Sequence, residues 1–519
     1  MTARLHPRTL DALLPAVRRP AYDRRALGTG IVHLGLGAFA RAHLAAVNDD
    51  ALDAGAALKW GIHGVSLRHA EVRDALLPQQ GLYSLGLRDA VATQTRVIGS
   101  VITCAVAPED PQAVVSAIAH ADTRIASLTV TEKGYCHDPA TRALNFAHPD
   151  IAHDLTQATQ PRSAIGFCAR GLQARRDHGG RPLTLLSLDN LPANGDTLRG
   201  LVLAFAERVD AGLVRWIERE CTFPNSMVDR IVPRATAADL ATAAEALGVE
   251  DRATVVAEPF LAWAVEDRFA GGRPDWSVGG AQFVDHAEPF EKLKLRMLNG
   301  AHSAIAYFGV QAGWATVDAA MAQPALARFI DALLRDEVAP TLRASLPGFD
   351  LDAYRAQLLQ RFANPALAHR TLQIAMDGSQ KLPQRWLYTV RDRLAAGAPI
   401  DGLALALAAW VMHLRGQPLD DPLADALQAL HARAMSMPTA RERAAEVTRF
   451  APVFADLADE PRLVEALARA LDGLQGQGVV AALERCARAS DPLTPTLSPG
   501  YGGEGAVQLP LPQRGRGLE

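Results

Sequence analysis

Long apolar runs are missing from this 519-residue chain. No stretch of about 18 apolar residues occurs that would cross a bilayer, so no membrane-spanning segment is expected. The N-terminus, Met1-Thr-Ala-Arg-Leu-His-Pro-Arg, has no apolar core after its basic residues, so secretion is not expected either. Cysteine is scarce. Cys104, Cys136, Cys168, Cys221 and Cys486 are far apart, odd in number and form no C-x-x-C pair. That argues against a disulfide scaffold or a redox motif and fits a reducing cytoplasm. Excess charge is absent as well: the formal net charge is -4 with both signs interspersed. No basic face for nucleic acid follows from it, and a small molecule is the expected partner. None of the 15 histidines falls in an H-E-x-x-H pattern or a Cys/His grouping at zinc spacing, so no metal site is expected.

What the chain does contain is a globular balance of 49% hydrophobic and 21% charged residues, at a length that favours two domains over one. Up to about residue 285, short apolar runs alternate with alanine- and leucine-rich segments: Gly30–Leu34, Trp60–Leu67, Ile125–Val130, Leu183–Leu188 and Thr254–Val256. This alternation predicts an α/β domain with a largely parallel sheet covered by helices. From 286 to 490 the apolar spacing becomes helical, as in Ala325–Leu334, Gly402–Leu414 and Pro461–Leu474, and predicts a mostly α-helical second domain. Residues 491–519 are rich in Pro and Gly without period and are expected to be a disordered tail.

A glycine-rich turn leads out of the first apolar run. Gly30-Ile-Val-His-Leu-Gly35-Leu36-Gly37-Ala38-Phe39-Ala40 fits G-x-G-x-x-G/A, with Gly35 for the tight turn and Gly37 for close approach of the backbone to a pyrophosphate. A plain tight turn has the same composition. The second run ends Val65-Ser66-Leu67-Arg68, where an acidic residue would read the ribose of NAD and where Arg68 suits a 2′-phosphate or a neighbouring carboxylate. The choice between NAD and NADP stays open from these residues.

Lys294-Leu-Arg-Met-Leu-Asn299-Gly-Ala-His302 places an amine, an amide and an imidazole in an apolar segment. On an α-helix Asn299 lies about 140° round from Lys294 and His302 about 80°, so the three share one broad face. Burial of the lysine would lower its pKa from about 10.4 toward the range of proton exchange at neutral pH. A snorkelling surface lysine is the structural alternative.

Two more polar clusters accompany it. Ser187-Leu188-Asp189-Asn190-Leu-Pro-Ala-Asn194-Gly195 follows an apolar run at the end where open α/β sheets bind ligands. Asn190 with Asn299 would make two neutral donors for a carbonyl oxygen; an Asx turn or helix cap accounts for the same residues. Asp229, before Arg230, is either a carboxylate supporting the site or a partner for that arginine. His369-Arg370 and Asp377-Gly-Ser-Gln-Lys381-Leu-Pro-Gln-Arg385 gather cations suited to a carboxylate-bearing substrate, or to a solvated loop.

Taken together, Lys294-x4-Asn299-x2-His302, Ser187-x-Asp189-Asn190-x3-Asn194-Gly195, Gly35-x-Gly37 and Thr131-Glu132-Lys133-Gly134-Tyr135 resemble the mannitol dehydrogenase family of polyol-specific long-chain dehydrogenases. The likeness covers about residues 25 to 490. The stretch from Arg361 to Arg385 looks most like the fructuronate reductase group within it. The resemblance implies a Rossmann-type N-terminal domain over 1–285, a helical catalytic domain over 286–490, metal-free hydride transfer, usually with NAD, and a monomer. It further implies that Lys294 is the acid/base, that Asn190 and Asn299 hold the reacting oxygen, that His302 positions the substrate, and that Glu132 belongs to the cofactor site. Ala40 stands where a histidine is common in the family. The expected reaction is D-fructuronate to D-mannonate. A mannitol or arabinitol 2-dehydrogenase would share these residues without needing cations for a carboxylate. A non-catalytic dinucleotide-binding protein would use Gly35 and Gly37 but keep Lys294 as an ion-pair partner.

Overall fold

The computed structural model describes residues 3–89, 92–138, 141–365, 369–415 and 419–489; the tail expected over 491–519 lies outside them. Two compact units divide the chain, one running to Glu288 and the other starting at Pro289.

In the first unit the apolar runs form strands for the reason their composition anticipates. Twelve strands occur among the described residues: β1 (Thr29–Leu34), β2 (Gly61–Ser66), β3 (Tyr83–Arg88), β4 (Thr93–Ile98), β5 (Val101–Val106), β6 (Ile125–Leu128), β7 (Leu183–Ser187), β8 (Cys221–Thr222), β9 (Ser226–Asp229), β10 (Val255–Ala257), β11 (Ala262–Glu266) and β12 (Ala281–Val284). The main sheet has the order β5-β2-β1-β6-β7-β8, and every pairing in it is parallel. Counted along the chain within that sheet this is the doubly wound Rossmann order. Successive side chains point to opposite faces. Ile31 and Leu186 therefore join one apolar cluster, while Val32, Leu34 and Leu185 join another. Burial on both faces is why these strands read as continuous apolar runs. The strand order reverses between β1 and β6, and the crevice beyond their carboxyl ends is where such sheets bind ligands.

Two three-stranded sheets complete the unit, ordered β10-β3-β4 and β12-β11-β9. The run Thr254–Val256 thus forms β10 of a separate small sheet, pairing parallel with β3, and is no strand of the main one.

The second unit is helical among its described residues. The helix Asp401–His413 is buried at every position from Gly402 to Val411, as a helix is when protein surrounds it. The helices Gly300–Ala312 and Pro461–Ala489 pack on it. Among the described residues three segments are π-helical: Lys294–Asn299, Leu333–Val338 and Pro383–Leu387. Such wide turns are uncommon and concentrate at functional sites.

Candidate active site

At the carboxyl ends of the main sheet, the structure sets a row of candidate residues on neighbouring strands. Gly35 follows β1 with φ +91°, and a Cβ there would lie 2.1 Å from the Thr129 carbonyl oxygen after β6. Only glycine fits both constraints. Its amide donates to Val65 O at 2.8 Å, and Leu36 is buried over Gly64 of β2. Gly37 differs: its φ is -84°, and the nearest atom to a Cβ would be Gly35 O, 3.8 Å away. The absence of a side chain at Gly37 is therefore not needed by the fold itself. Ala38, Phe39 and Ala40 open the short helix Ala38–Ala42, whose first amides have no carbonyl four residues back in the helix. Phe39 stacks on His43 with ring centroids 5.1 Å apart. Arg68 is exposed just beyond β2.

Hydrogen bonds tie this row together. Thr129 Oγ1 donates to Gly35 O at 2.7 Å, and His33 of β1 joins Ser127 Oγ at 2.8 Å and Thr129 Oγ1 at 2.9 Å. Burial pushes His33 down to a pKa of about 4, so the ring is neutral. Beyond β6, exposed Glu132 opens the 3₁₀ turn Glu132–Tyr135. Asp189, buried at the end of β7, accepts the amides of Val130 at 3.0 Å and Thr131 at 2.8 Å and the Tyr135 hydroxyl at 2.8 Å. Burial raises the Asp189 pKa, and these donors oppose that rise. Asn194, also buried, donates to Ser187 O, Asp189 O and Ser226 O at 3.2, 3.0 and 2.8 Å. The Asp189–Asn194 turn is thereby pinned to β7 and β9 with Asn190 exposed on it. Asp229 is buried at the end of β9, while Arg230 donates to Glu258 O at 3.0 Å and Ala42 O at 2.6 Å. The supporting roles of Asp189 and Asn194 were hidden in the sequence, because Val130, Thr131, Tyr135 and Ser226 are more than 30 residues away along the chain.

In the helical unit the α-helical spacing expected around Lys294 is corrected. The backbone is π-helical from Lys294 to Asn299, with Gly300 N–H bonded to Leu295 O. An i to i+5 turn brings Asn299 to about 50° round from Lys294, one turn further along the same face, where α-geometry would separate them by about 140°. Lys294, Asn299 and His302 are all half-buried. The His302 ring lies 4.7 Å from Phe362 and 6.0 Å, edge-on, from His369, whose own pKa burial lowers. Lys381 donates to Met376 O at 2.6 Å and sits 3.6 Å from Asp377; burial and then Arg385 lower its pKa. Arg385, expected to meet a substrate carboxylate, has bonds within the fold: Nη1 donates to Asn299 O at 3.2 Å and Ser303 Oγ at 2.8 Å. Arg370 is exposed and serves as the N-cap of the helix Thr371–Ile374. The structure thus gathers Lys294, Asn299, His302, His369 and Arg385, and leaves the Arg370 side chain at the surface.

Residues 29–278 match the mannitol dehydrogenase Rossmann domain and residues 286–475 the mannitol dehydrogenase C-terminal domain. The chain belongs to the mannitol dehydrogenase family. It is an oxidoreductase of that family, acting on CH–OH groups. D-mannonate oxidoreductase of Escherichia coli K12 is 45% identical over 78% of this chain and 84% of its own length. A mannitol 2-dehydrogenase of Phaeosphaeria nodorum is 39% identical over 94% of this chain and 86% of its own. Among solved structures, the Pseudomonas fluorescens mannitol 2-dehydrogenase in ternary complex with NAD and D-mannitol is 34% identical, with a TM-score of 0.77 over 93% of this chain and 99% of that one. A D-sorbitol dehydrogenase in substrate-free form is 32% identical, with a TM-score of 0.85 over 93% of this chain and 100% of that one.

In this family the group expected at β1 is a dinucleotide, and the turn fits one. Gly35 makes the bend, and the space a Cβ would fill at Gly37 is open to a pyrophosphate. Spacing alone points to no metal-ligand grouping, yet the fold brings ligand atoms of Cys136, His148 and Asp150 within 4.8 Å of one another. His148 Nδ1 accepts the Asp150 amide at 3.2 Å as a helix cap, and burial, then Asp150, push the Cys136 thiol up to about 11. This arrangement caps the helix Pro149–Thr156 with a protonated thiol beside it. Among the described residues no helix is long and apolar enough to cross a membrane.

Proposed function

We propose that this enzyme interconverts D-fructuronate and D-mannonate with NAD as redox partner. The observation that carries the assignment is the π turn, which sets a half-buried amine and an amide one turn apart on one face of the helix. When bound, the dinucleotide supplies the hydride for reduction and takes it up in oxidation. As the new C–H bond forms, the C=O π pair moves on to oxygen, and the Lys294 ammonium gives that oxygen a proton, leaving a neutral amine. In the reverse direction the Lys294 amine takes the hydroxyl proton, so one group serves both directions. Asn299 and Asn190 are assigned amide donors to the reacting oxygen, which lower the cost of its developing charge. His302 and Asp229 orient the substrate hydroxyls. Gly35, Leu36, Gly37, Ala38 and Phe39 form the pyrophosphate turn, with Arg68 and Glu132 at its sides.

Substrate charge separates this assignment from a second one, a polyol 2-dehydrogenase acting on an uncharged ketose. The sugar acid is supported by the 45% identity to D-mannonate oxidoreductase, by His369 beside His302 and by the cation pair Lys381 and Arg385. The uncharged ketose is supported by the likeness to the mannitol 2-dehydrogenase structure and by Lys381 having Met376 O and Asp377 as neighbours. Initial rates followed at the reduced-nicotinamide absorbance, with fructuronate and fructose in parallel, test the choice. Turnover of fructuronate above fructose is expected. Lys381→Ala should raise KM for fructuronate about 10- to 100-fold, the worth of one charge-assisted hydrogen bond, and leave fructose unaffected. Faster turnover of fructose by the unaltered enzyme establishes the second assignment.

A further inference from the structure

We infer that Arg385 and Trp386 are positioning residues that hold the Lys294–Asn299 turn in its π register, and that Arg385 is no carboxylate ligand. The inference rests on the proposed role of Lys294 and extends it to the device that places it. Asn299 and Gly300 are the two residues at which the π turn hands over to the helix Gly300–Ala312. Both of their carbonyls are gripped from another π segment, Pro383–Leu387: Arg385 Nη1 donates to Asn299 O at 3.2 Å and to Ser303 Oγ at 2.8 Å, and Trp386 Nε1 donates to Gly300 O at 3.0 Å. The two segments approach closely at Gly300, where a Cβ would meet Arg385 O at 3.2 Å and Trp386 Cδ1 at 3.5 Å. From the other side, buried Arg296 donates to Thr341 Oγ1 at 2.9 Å and Asp392 Oδ2 at 2.5 Å.

A π turn needs such support. Its i to i+5 bonding leaves a backbone group without an α-helical partner, and the segment gains regular hydrogen bonding by relaxing to α-geometry. That relaxation swings Asn299 round the axis by about a quarter of a turn relative to Lys294. A displacement on the order of 1 Å at a reacting group costs turnover by as much as about 100-fold. Arg385 bonds both the backbone of the π turn and the first turn of the helix after it, so it opposes this motion. Burial lowers its pKa to about 10, and the guanidinium stays charged at neutral pH.

The test compares Arg385→Ala, Arg385→Lys and Trp386→Phe in the whole enzyme, with fructuronate and fructose as parallel substrates. For Arg385→Ala we expect kcat to fall roughly 10- to 100-fold on both substrates with KM changed less than about threefold, and added methylguanidinium to restore part of it. Trp386→Phe keeps the ring and loses one N–H, so a fall of several-fold in kcat is expected with the melting temperature nearly kept. Native-state amide exchange across residues 297–301 should accelerate in both variants, a readout that needs no turnover. A loss confined to KM for fructuronate would show Arg385 to be a carboxylate partner and overturn the inference. Unchanged kcat and unchanged exchange in Trp386→Phe would overturn it too, even if Arg385→Ala fails to fold. An unaltered enzyme that turns over neither substrate would instead refute the proposed function, while the exchange measurement still judges the turn.

Discussion

Alanine placed at Gly35 and at Gly37 should separate what the fold needs from what the cofactor needs. At Gly35 the backbone has φ +91°, and the added methyl would meet Thr129 O at 2.1 Å and Thr129 C at 2.9 Å. A left-handed residue with a Cβ costs about 1–2 kcal/mol, and forcing a methyl into packed backbone adds about 1–3 kcal/mol. Gly35→Ala should therefore lose roughly 2–5 kcal/mol, a fall of roughly 5 to 15 °C in melting temperature for a unit of this size. At Gly37 the conformation suits any residue, and the methyl would have no atom nearer than 3.8 Å. Gly37→Ala should melt within about 2 °C of the unaltered enzyme, or slightly above it, because alanine reduces the freedom of the unfolded chain. Its affinity for NADH, titrated by nicotinamide fluorescence, should nonetheless fall about tenfold or more, since the methyl occupies the approach to the pyrophosphate. Wild-type NADH affinity in Gly37→Ala would refute the assignment of this turn to the cofactor. Wild-type stability in Gly35→Ala would refute the steric argument.

Two further outcomes follow from the buried polar network beneath the site. His33 stays neutral in the folded enzyme down to about pH 4 but takes up a proton in the unfolded chain below about 6.5, so the unfolded state binds more protons between these limits. Stability is lost as pH falls through that window, by about 1.4 kcal/mol per unit, and His33→Gln should escape this part of the loss; parallel pH profiles of melting temperature for both proteins would contradict it. Asp189→Asn keeps the shape but weakens the acceptor shared by the Val130 and Thr131 amides and Tyr135. It should cost about 1–3 kcal/mol and raise KM for NADH by loosening the Glu132 turn; calorimetry and cofactor titration check both, and an unchanged KM would remove Glu132 from the cofactor site.

The four long central strands of the main sheet were legible because parallel strands buried on both faces are continuous apolar runs, as at Gly30–Leu34 and Leu183–Leu188. Strands β3, β4, β5, β8, β9, β11 and β12 were not anticipated. β4 reads Thr-Gln-Thr-Arg-Val-Ile and is exposed or half-buried over its first four residues, so neither run length nor alternation marks it. The bend at Gly35 was legible, since its positive φ and the Thr129 carbonyl behind it leave room for glycine alone. The π turn was not legible. One extra residue in a turn leaves no mark on composition, and the 100° wheel that places Lys294 and Asn299 on a shared face sets them too far apart. Arg385 shows the same limit: its bonds to Asn299 and Ser303 depend on a chain crossing that no local pattern encodes.

Lys294→Ala is the most direct test of the account. In single-turnover reduction of fructuronate by saturating NADH, the rate should fall about 10²- to 10⁴-fold, more than for Asn190→Ala, with NADH affinity unchanged and the pH dependence of the hydride step flattened. A Lys294→Ala enzyme that transfers hydride at a near-normal rate, with the pH profile of the unaltered protein, would contradict the assignment of the proton to this amine.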